Sequence, residues 1–289
     1  MKMSQNVKKR IFLLALLSCV SKNFAGQIIS DFTQNKINEF CTLKIQLKSE
    51  DDDEAVKKIE SLRENAISNL AEYAVDFEQE KRILESIYFM ESYEHLITPE
   101  KRAGLRKIMK NHMKENVACL ESRKESERSP WLYLVTGDVT SYYMTRSVPA
   151  TLLYGLRVKD WYVKAAESLG GVSGGSLSLG NWLFYAPAPF GSKKKAMASY
   201  EKSVEQAKTE GELYLAYEFT SQLYFEMKDF KKADEYLQKA YDLNLGTREL
   251  DKVKKCNELG YSLYQYNRNR AGIDEKIPES EMDEDDKAR

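Results

Sequence analysis

The sequence predicts an all-α protein. Apolar residues recur every three or four positions over most of its 289 residues, which is the period of a helix with one buried face. The composition agrees, because the chain is rich in Lys, Glu, Ala and Leu and contains only six prolines. With 42% apolar residues, the chain can bury a substantial core.

The first 26 residues are typical of an export signal. Lys8, Lys9 and Arg10 give a positive start, and residues 11–17 follow as an apolar run. A run of about seven residues fits a signal peptide and is too short for a membrane span, which needs roughly 20. Removal of residues 1–26 takes away five positive charges, so the formal net charge of −1 becomes about −6. We therefore expect an exported protein, periplasmic or anchored to a membrane.

Two endings of this signal stay open. The segment 16–19, Leu-Leu-Ser-Cys, resembles a bacterial lipobox, which would make Cys19 a lipidated N-terminus. The other ending is cleavage near Ala25, although Asn23 is a poor match to the small residue expected there. Contact with a membrane is expected only through a lipid anchor, and a stable anchor needs more than one acyl chain.

The segment 27–125 is predicted to be a helical N-terminal region. Its apolar stripes place helices at about 28–47, 53–77, 79–96 and 99–121. Ser49 with the acids after it, and Thr98 with Pro99, are good start signals for the second and fourth of these helices. The charged stretch 121–129 is expected to be a hinge or exposed loop.

The segment 130–268 is predicted to hold further helices around one interruption. The expected helices are 131–144, 147–169, 192–208, 211–227, 230–243 and 247–266. Six of the 14 glycines fall within 170–191, together with two prolines, so we expect a glycine-rich, aromatic insertion there rather than a helix. Residues 269–289 are acidic and are expected to form a disordered tail.

Residues 214–245 carry the most specific pattern. In its second half, Ala233 and Ala240 lie seven residues apart behind the turn residues Asp229 and Phe230. This pattern resembles the second helix of a tetratricopeptide repeat, in which small residues two turns apart let the partner helix approach closely. Ser221 stands where that family usually has glycine. The resemblance implies a right-handed helical solenoid that is preceded by the helical N-terminal half.

Two neighbouring half-units support the resemblance. Ala196 begins a similar second helix at 194–203, and Leu259 with Gly260 resembles part of a further first helix at 256–263. The spacing from Ala196 to Ala233 exceeds the usual repeat of about 34 residues, so the repeats are irregular. Ala196, Ala233, Ala240 and Gly260 are the predicted packing positions. The resemblance covers about 192–266 and extends weakly back to 130.

No catalytic or metal-binding pattern stands out. The segment 171–175 matches G-x-S-x-G around Ser173, but that motif needs a preceding strand and the residues before it are helical in pattern. His95 and His112 are too few and too far apart for a zinc motif. A serine hydrolase using Ser173 is therefore the weakest alternative, and we expect no enzyme activity, cofactor or metal.

The cysteine spacing and the charge balance give no support for a metal-binding or a nucleic-acid-binding protein. Cys41, Cys119 and Cys256 show no paired metal-ligand spacing and are expected to be small buried residues, with any disulfide pairing left open. The near balance of 44 basic and 45 acidic residues gives no support for nucleic acid as a partner.

An aromatic string at 181–187 is the first candidate binding surface. Either it packs over the solenoid as a cover, or it forms a surface for a ligand or partner. The candidate binding residues are Trp182, Phe184, Tyr185, Tyr217 and Tyr224. The leading prediction is an exported adaptor that binds another envelope protein or a peptide. The alternative is a protein working beside a transporter, with a small apolar or zwitterionic ligand in a cavity lined by Tyr and Trp.

Overall fold

The prediction of an all-α protein is confirmed. The computed structural model describes residues 28–48, 50–96, 102–144 and 147–268, and these contain helices and no strand. The α-helices are α1 Asp31–Leu47, α2 Asp52–Tyr73, α3 Phe77–Leu96, α4 Arg102–Glu121, α5 Pro130–Met144, α6 Val148–Glu167, α7 Ser173–Tyr185, α8 Lys193–Gln206, α9 Glu210–Glu226, α10 Phe230–Tyr241, α11 Arg248–Glu258 and α12 Leu263–Arg268. A short 3-10 helix, Glu125–Glu127, precedes α5.

The helices pack as adjacent pairs in two rows. Each helix of the first row (α3, α5, α7, α9 and α11) contacts the next helix of that row. The second row (α4, α6, α8 and α10) packs against the first row, but no comparable contact joins its helices to one another. We refer to the side of the stack formed by the first row, where the helices are in lateral contact, as the inner face. This arrangement is compatible with an all-α helical repeat.

The helix-turn-helix unit predicted at 214–245 is present as α9 and α10. Asp229 caps α10 by accepting a hydrogen bond from the backbone N–H of Lys232. Ala233 and Ala240 are both buried on α10, and Ser221 is buried on α9. The burial of these small side chains is compatible with close packing of the two helices. Ala196 is buried on α8 in the same way.

The prediction of a non-helical insertion at 170–191 is wrong for its central part, which forms α7. Its glycines serve close packing instead of breaking the helix. A Cβ atom on Gly175 would lie 2.7 Å from the Cβ of Ala165 on α6, and one on Gly180 would lie 2.2 Å from the ring of Tyr200 on α8. The helix begins only after Gly170, whose φ of 77° terminates the preceding segment.

The single helix predicted at 247–266 is also wrong, because the chain turns after Glu258. Gly260 has a φ of 85°, and apart from its chain neighbours no atom of the described residues lies within 4 Å of the position its Cβ would take. The N–H groups of Gly260 and Tyr261 bond to the carbonyls of Asn257 and Cys256, which is the Schellman arrangement that ends a helix. Gly260 is therefore a helix terminator and not the packing residue that was predicted.

Several predicted features fall outside the described residues. They are the signal with Cys19, the helix start at Thr98 and Pro99, and the acidic tail 269–289. At the start of α2, the capping residue is Asp51 rather than Ser49, because its carboxylate accepts from Asp53 and Glu54. The helix predicted at 53–77 ends at Tyr73, and α3 begins at Phe77.

Candidate functional site

Helix α1 is fixed to the start of the first row by one buried carboxylate. Glu80, in the first turn of α3, is fully buried and accepts hydrogen bonds from the hydroxyls of Ser30 and Thr33. It also accepts from the backbone N–H groups of Val75 at 2.7 Å and Asp76 at 3.1 Å. Glu80 therefore joins the N-terminal end of α1 to the turn between α2 and α3.

From there α1 crosses the inner face at the N-terminal ends of the first-row helices. The Trp131 indole N–H at the start of α5 donates to Gln34 Oε1 at 3.1 Å. At the start of α9, a Cβ on Gly211 would lie 2.0 Å from the carbonyl oxygen of Cys41, so this approach requires glycine. Burial raises the pKa of the Cys41 thiol to about 11, which favours the neutral thiol over the thiolate.

The C-terminal end of α1 brings Lys48 among carboxylates from three other helices. Arg248, at the start of α11, donates to the Lys48 carbonyl at 2.8 Å and fixes this end. The pKa of the Lys48 ammonium is raised, because the attraction of the surrounding carboxylates exceeds the opposing effect of burial. These carboxylates are Glu249, Glu91, Glu218 and Glu94. We call these four glutamates and Asp138 of α5 the acidic layer.

Two members of the acidic layer are largely buried. Glu91 Oε1 accepts no hydrogen bond from the described residues and lies 3.8 Å from His95 Nε2. Glu218 is 5% exposed and shows no hydrogen bond or close ion pair with the described residues. Burial raises the Glu218 pKa to about 7, although Lys48 opposes the shift. Buried charges in proteins are normally paired, so these two carboxyl groups are unusual.

Tyr142 of α5 lies beside the acidic layer. Its hydroxyl donates to Glu94, and the residue is 38% exposed. Desolvation, and then the charge of Glu94, raise the Tyr142 pKa well above its ordinary value. Asp138, one turn earlier on α5, accepts from Ser178 at 3.0 Å, and burial raises its pKa to about 6.

Aromatic side chains from α7, α8 and α12 form a second cluster. The Tyr264 ring lies 4.2 Å from that of Phe184 and 5.3 Å from that of Tyr185, measured between centroids. The Tyr264 and Tyr200 hydroxyls are 2.9 Å apart, and the Tyr200 hydroxyl donates to Asn181 at 2.6 Å. We call Phe184, Tyr185, Tyr200 and Tyr264 the aromatic wall. Desolvation by burial raises the Tyr264 pKa most, and Glu218 is among the charges that add to the rise.

The structure distributes the five predicted binding residues over three places. Phe184 and Tyr185 belong to the aromatic wall. Trp182 faces α6, where its indole N–H donates to the Gly155 carbonyl at 3.0 Å. Tyr217 and Tyr224 pack inside the α9–α10 pair, against the Tyr236 ring at 6.0 and 5.5 Å. Sequence reasoning missed the acidic layer, although carboxylates at Asp138 and Glu218 interrupt otherwise apolar helix faces.

Ser173 takes part in helix packing. It begins α7 and is buried, and its hydroxyl donates to the Ser203 carbonyl on α8 at 2.8 Å. A turn after α6, not a strand, precedes it. The two histidines lie on α3 and α4, where the His112 ring stacks on that of Phe89 at 4.0 Å. This geometry favours a structural role for the serine.

A second concavity lies at the other end of the stack, between α10 and the α11–α12 segment. It is a groove of about 740 Å³. Its lining residues are Phe225, Glu226, Lys228, Phe230, Asp234, Leu237, Gln238, Tyr241, Lys254, Asn257, Glu258, Gly260 and Gln265. Its rim includes Phe230, which is 53% exposed.

Three other kinds of site find no support within the described parts of the chain. No three His, Cys, Asp or Glu residues are grouped as metal ligands would be. No helix there has the length and apolar character needed to cross a bilayer. Cys41, Cys119 and Cys256 form no disulfide there. Comparison with known protein families, curated proteins and solved structures finds no match for this chain, so its function is inferred from the geometry above.

Proposed function

We propose that this protein is a non-catalytic binding protein, which holds a small ligand in a recess on the inner face between the acidic layer and the aromatic wall. The observation that carries the proposal is the course of α1 across the inner face. In helical-repeat proteins the inner face is an extended binding surface. Here the chain's own helix covers the N-terminal ends of the first row, and the recess lies farther along the same helices.

The burial of α1 favours a small ligand over a peptide on this face. Ile37, Phe40, Ile45 and Leu47 are each at most 2% exposed. Burying one such side chain stabilises the fold by about 1.5–3 kcal/mol. A peptide that displaced α1 would have to replace all of these contacts, whereas a small molecule can enter the recess without moving the helix.

The proposal includes a right-handed, tetratricopeptide-like solenoid as the scaffold. Its support is the pairing of successive helices and the buried small residues Ala196, Ala233 and Ala240. The irregular element is α7, whose glycines allow a closer approach to its neighbours than the repeat pattern requires. We further propose that the protein acts after export in the periplasm or on a membrane, beside a transporter.

Native mass spectrometry of the purified full chain tests the small-ligand function. We expect a small mass excess that is lost on denaturation, and a lower occupancy in Tyr185→Ala, since this 40% exposed ring belongs to the aromatic wall. Phe230→Ala, at the distant groove, is the matched control and should keep full occupancy. Absence of any bound small molecule in protein taken directly from cells would contradict the proposal.

A second candidate is the adaptor function, and the 740 Å³ groove is the observation that favours it. Its rim exposes Phe230 and, next to it in the turn, Met227 at 49%. Exposed apolar side chains around a groove are typical of a docking surface. In this case a specific partner cross-linked in cells should be lost in Phe230→Ala and retained in Tyr185→Ala, which is the reverse of the small-ligand outcome.

The lipid anchor at Cys19 is a separate part of the proposal. A Cys19→Ser variant should no longer be labelled by a palmitate analogue and should leave the membrane fraction. Unchanged labelling would favour cleavage near Ala25.

A further inference from the structure

We infer that one edge of the helix stack docks on a membrane surface that contains anionic lipids, with leucines of α6 entering the bilayer interface. This docking edge is the side of the stack at which α4, α6 and α8 begin. The inference goes beyond the proposed binding function, because it needs neither the small ligand nor the lipid anchor at Cys19.

Three leucines near the start of α6 are highly exposed. Leu152, Leu153 and Leu156 are 83%, 64% and 57% exposed. Residues three and four positions apart lie on the same side of a helix, so these side chains form one continuous apolar surface, the leucine patch. The helix itself is firmly packed, since Val158 and Ala165 are fully buried. Single exposed leucines are ordinary, but three in little more than one helical turn are typical of an interaction surface.

The start of α8 lies beside the leucine patch. The Trp182 indole N–H donates to the carbonyl of Gly155 on α6 at 3.0 Å. The next residue of α7, Leu183, accepts from the backbone N–H of Ser192 at 2.8 Å. Consecutive residues of α7 thus contact α6 within the leucine patch and the residue directly before α8. The turn between α7 and α8 adds Phe190, whose ring is exposed.

The first half of α4 flanks the leucine patch from the other side. Leu105 and Met109 of α4 belong to the same apolar cluster as Ala150 of α6, and Tyr154 packs against that cluster. Between the two α4 residues, Ile108 is exposed to solvent. Apolar side chains are therefore exposed on α4, on α6 and in the turn before α8.

The charges at the docking edge are positive. Residues 104–114, 148–159 and 186–200 contain nine Lys or Arg residues and no Asp or Glu. This excess is local, because the whole chain has nearly equal numbers of basic and acidic residues. On α4 and α8, the exposed basic side chains include Arg106, Lys107, Lys110, Lys114, Lys194 and Lys195.

The combination of exposed leucines and positive charge fits an anionic bilayer surface. Arg157 pairs with Glu121, and Lys193 with Glu226 at 2.9 Å, so acids of neighbouring segments offset a small part of the charge. On a membrane, the leucines can enter the interface while the basic side chains meet lipid phosphates. A second copy of this chain would bring two positive edges together, which like-charge repulsion opposes.

Co-sedimentation of the full chain with vesicles tests this inference, with Cys19→Ser in every sample so that no acyl chain is attached there. We expect binding to vesicles of equal parts phosphatidylglycerol and phosphatidylcholine. Binding to phosphatidylcholine alone should be at least about tenfold weaker. The binding to anionic vesicles should fall as the salt concentration rises, because salt screens charges. Residues 1–26 are the same in all samples, so differences between variants report the docking edge.

Substitution of the leucine patch should weaken vesicle binding without affecting the fold. We expect the combined variant Leu152→Gln, Leu153→Gln and Leu156→Gln to bind anionic vesicles at least about tenfold more weakly. The matched control is Leu169→Gln, because Leu169 is 84% exposed but follows the opposite end of α6. This control should bind as the parent chain does.

Substitution of the basic residues tests the charge. Each Lys or Arg near an anionic membrane contributes about fivefold in affinity. Lys107→Gln combined with Lys110→Gln should therefore weaken binding to anionic vesicles about tenfold or more. Lys124→Gln, beyond the opposite end of α4, is the control and should leave binding unchanged.

A second readout reports insertion of α6 itself. The fluorescence of a tryptophan introduced as Leu152→Trp should be quenched by lipids with brominated acyl chains. A tryptophan introduced as Leu169→Trp should show no such quenching beyond that of the three native tryptophans.

The outcomes separate this inference from its alternatives. Absence of vesicle binding at low salt, no preference for anionic lipid, or equal binding by the parent and the combined leucine variant would overturn it. A parent dimer that dissociates in the leucine variant, seen by sedimentation velocity, would assign the edge to a second copy and also overturn it. A bound small molecule found by native mass spectrometry would leave the small-ligand function standing in each of these cases.

Discussion

The buried carboxyl group of Glu218 makes the stability of this protein depend on pH. Burial raises its pKa from 4.5 to about 7, so the folded protein binds a proton that the unfolded chain releases. The stabilisation from that proton is fully present below pH 4.5 and is lost as the pH rises through about 7. We therefore predict that the free energy of unfolding falls between pH 5 and pH 8 in part because of this one residue.

Substitution of Glu218 by Gln should remove that dependence. Gln has nearly the same shape and stays neutral at every pH. A shift of this size corresponds to about 3 kcal/mol at most, since each pKa unit is worth about 1.4 kcal/mol. We expect Glu218→Gln and wild type to have similar stability at pH 5, and the variant to be more stable at pH 8 by up to about 3 kcal/mol.

Urea unfolding followed by circular dichroism at pH 5 and pH 8 measures this difference, in buffers free of amines. Asp138 also has a raised pKa, so wild type alone would report several groups together. Subtracting variant from wild type at each pH isolates Glu218. Glu235→Gln should show no such gain at pH 8. If Glu218→Gln were instead less stable than wild type at pH 8, Glu218 would be an ionised and partnered group, and the reasoning would be refuted.

Three further substitutions test how the site is built. Gly211→Ala should lower the free energy of unfolding by about 1–3 kcal/mol, because the new methyl group would lie 2.0 Å from the Cys41 carbonyl oxygen. Urea unfolding measures this, and an unchanged free energy would mean that α1 is not held there. Lys228 has a φ of 63°, a left-handed conformation that glycine adopts more readily. Lys228→Gly should therefore raise the free energy of unfolding by up to about 1 kcal/mol in the same assay. A lower free energy of unfolding would contradict this reasoning. In Gly180→Ala the new Cβ would lie 2.2 Å from the Tyr200 ring and should displace it. We expect a lower melting temperature and a lower ligand occupancy. An unchanged melting temperature would argue against this packing.

Local patterns in the sequence predicted the helices well, because helical period and capping residues act over a few positions. Ser147 illustrates this: it caps α6 as its position before Pro149 suggests, by accepting from the Ala150 N–H. The contact of Cys41 with Gly211 is different, since the two residues are 170 positions apart and no short-range pattern links them. The course of α1 across the inner face could therefore not be predicted from one sequence.

The two wrong predictions have a common physical cause. Glycine was interpreted from its neighbours in the sequence alone, as a helix breaker at 170–191 and as a packing residue at Gly260. Its role depends on what surrounds the missing Cβ: Gly180 lies against the Tyr200 ring, whereas Gly260 faces open space in a left-handed turn. The residues of other helices that lie around a glycine decide between these roles, and these tertiary contacts cannot be read from the sequence.

The glycines of α7 also explain how the candidate site is assembled. Gly180 lets the Tyr200 ring lie directly on α7, which brings the Tyr200 hydroxyl to Asn181 and to the hydroxyl of Tyr264. The Tyr264 ring also contacts that of Tyr185, and the charge of Glu218 contributes to the raised pKa of Tyr264. The segment whose composition conceals a helix is thus the segment that assembles the aromatic wall. A larger residue at position 180 would move the Tyr200 ring away from α7, so the proposed recess depends on this glycine.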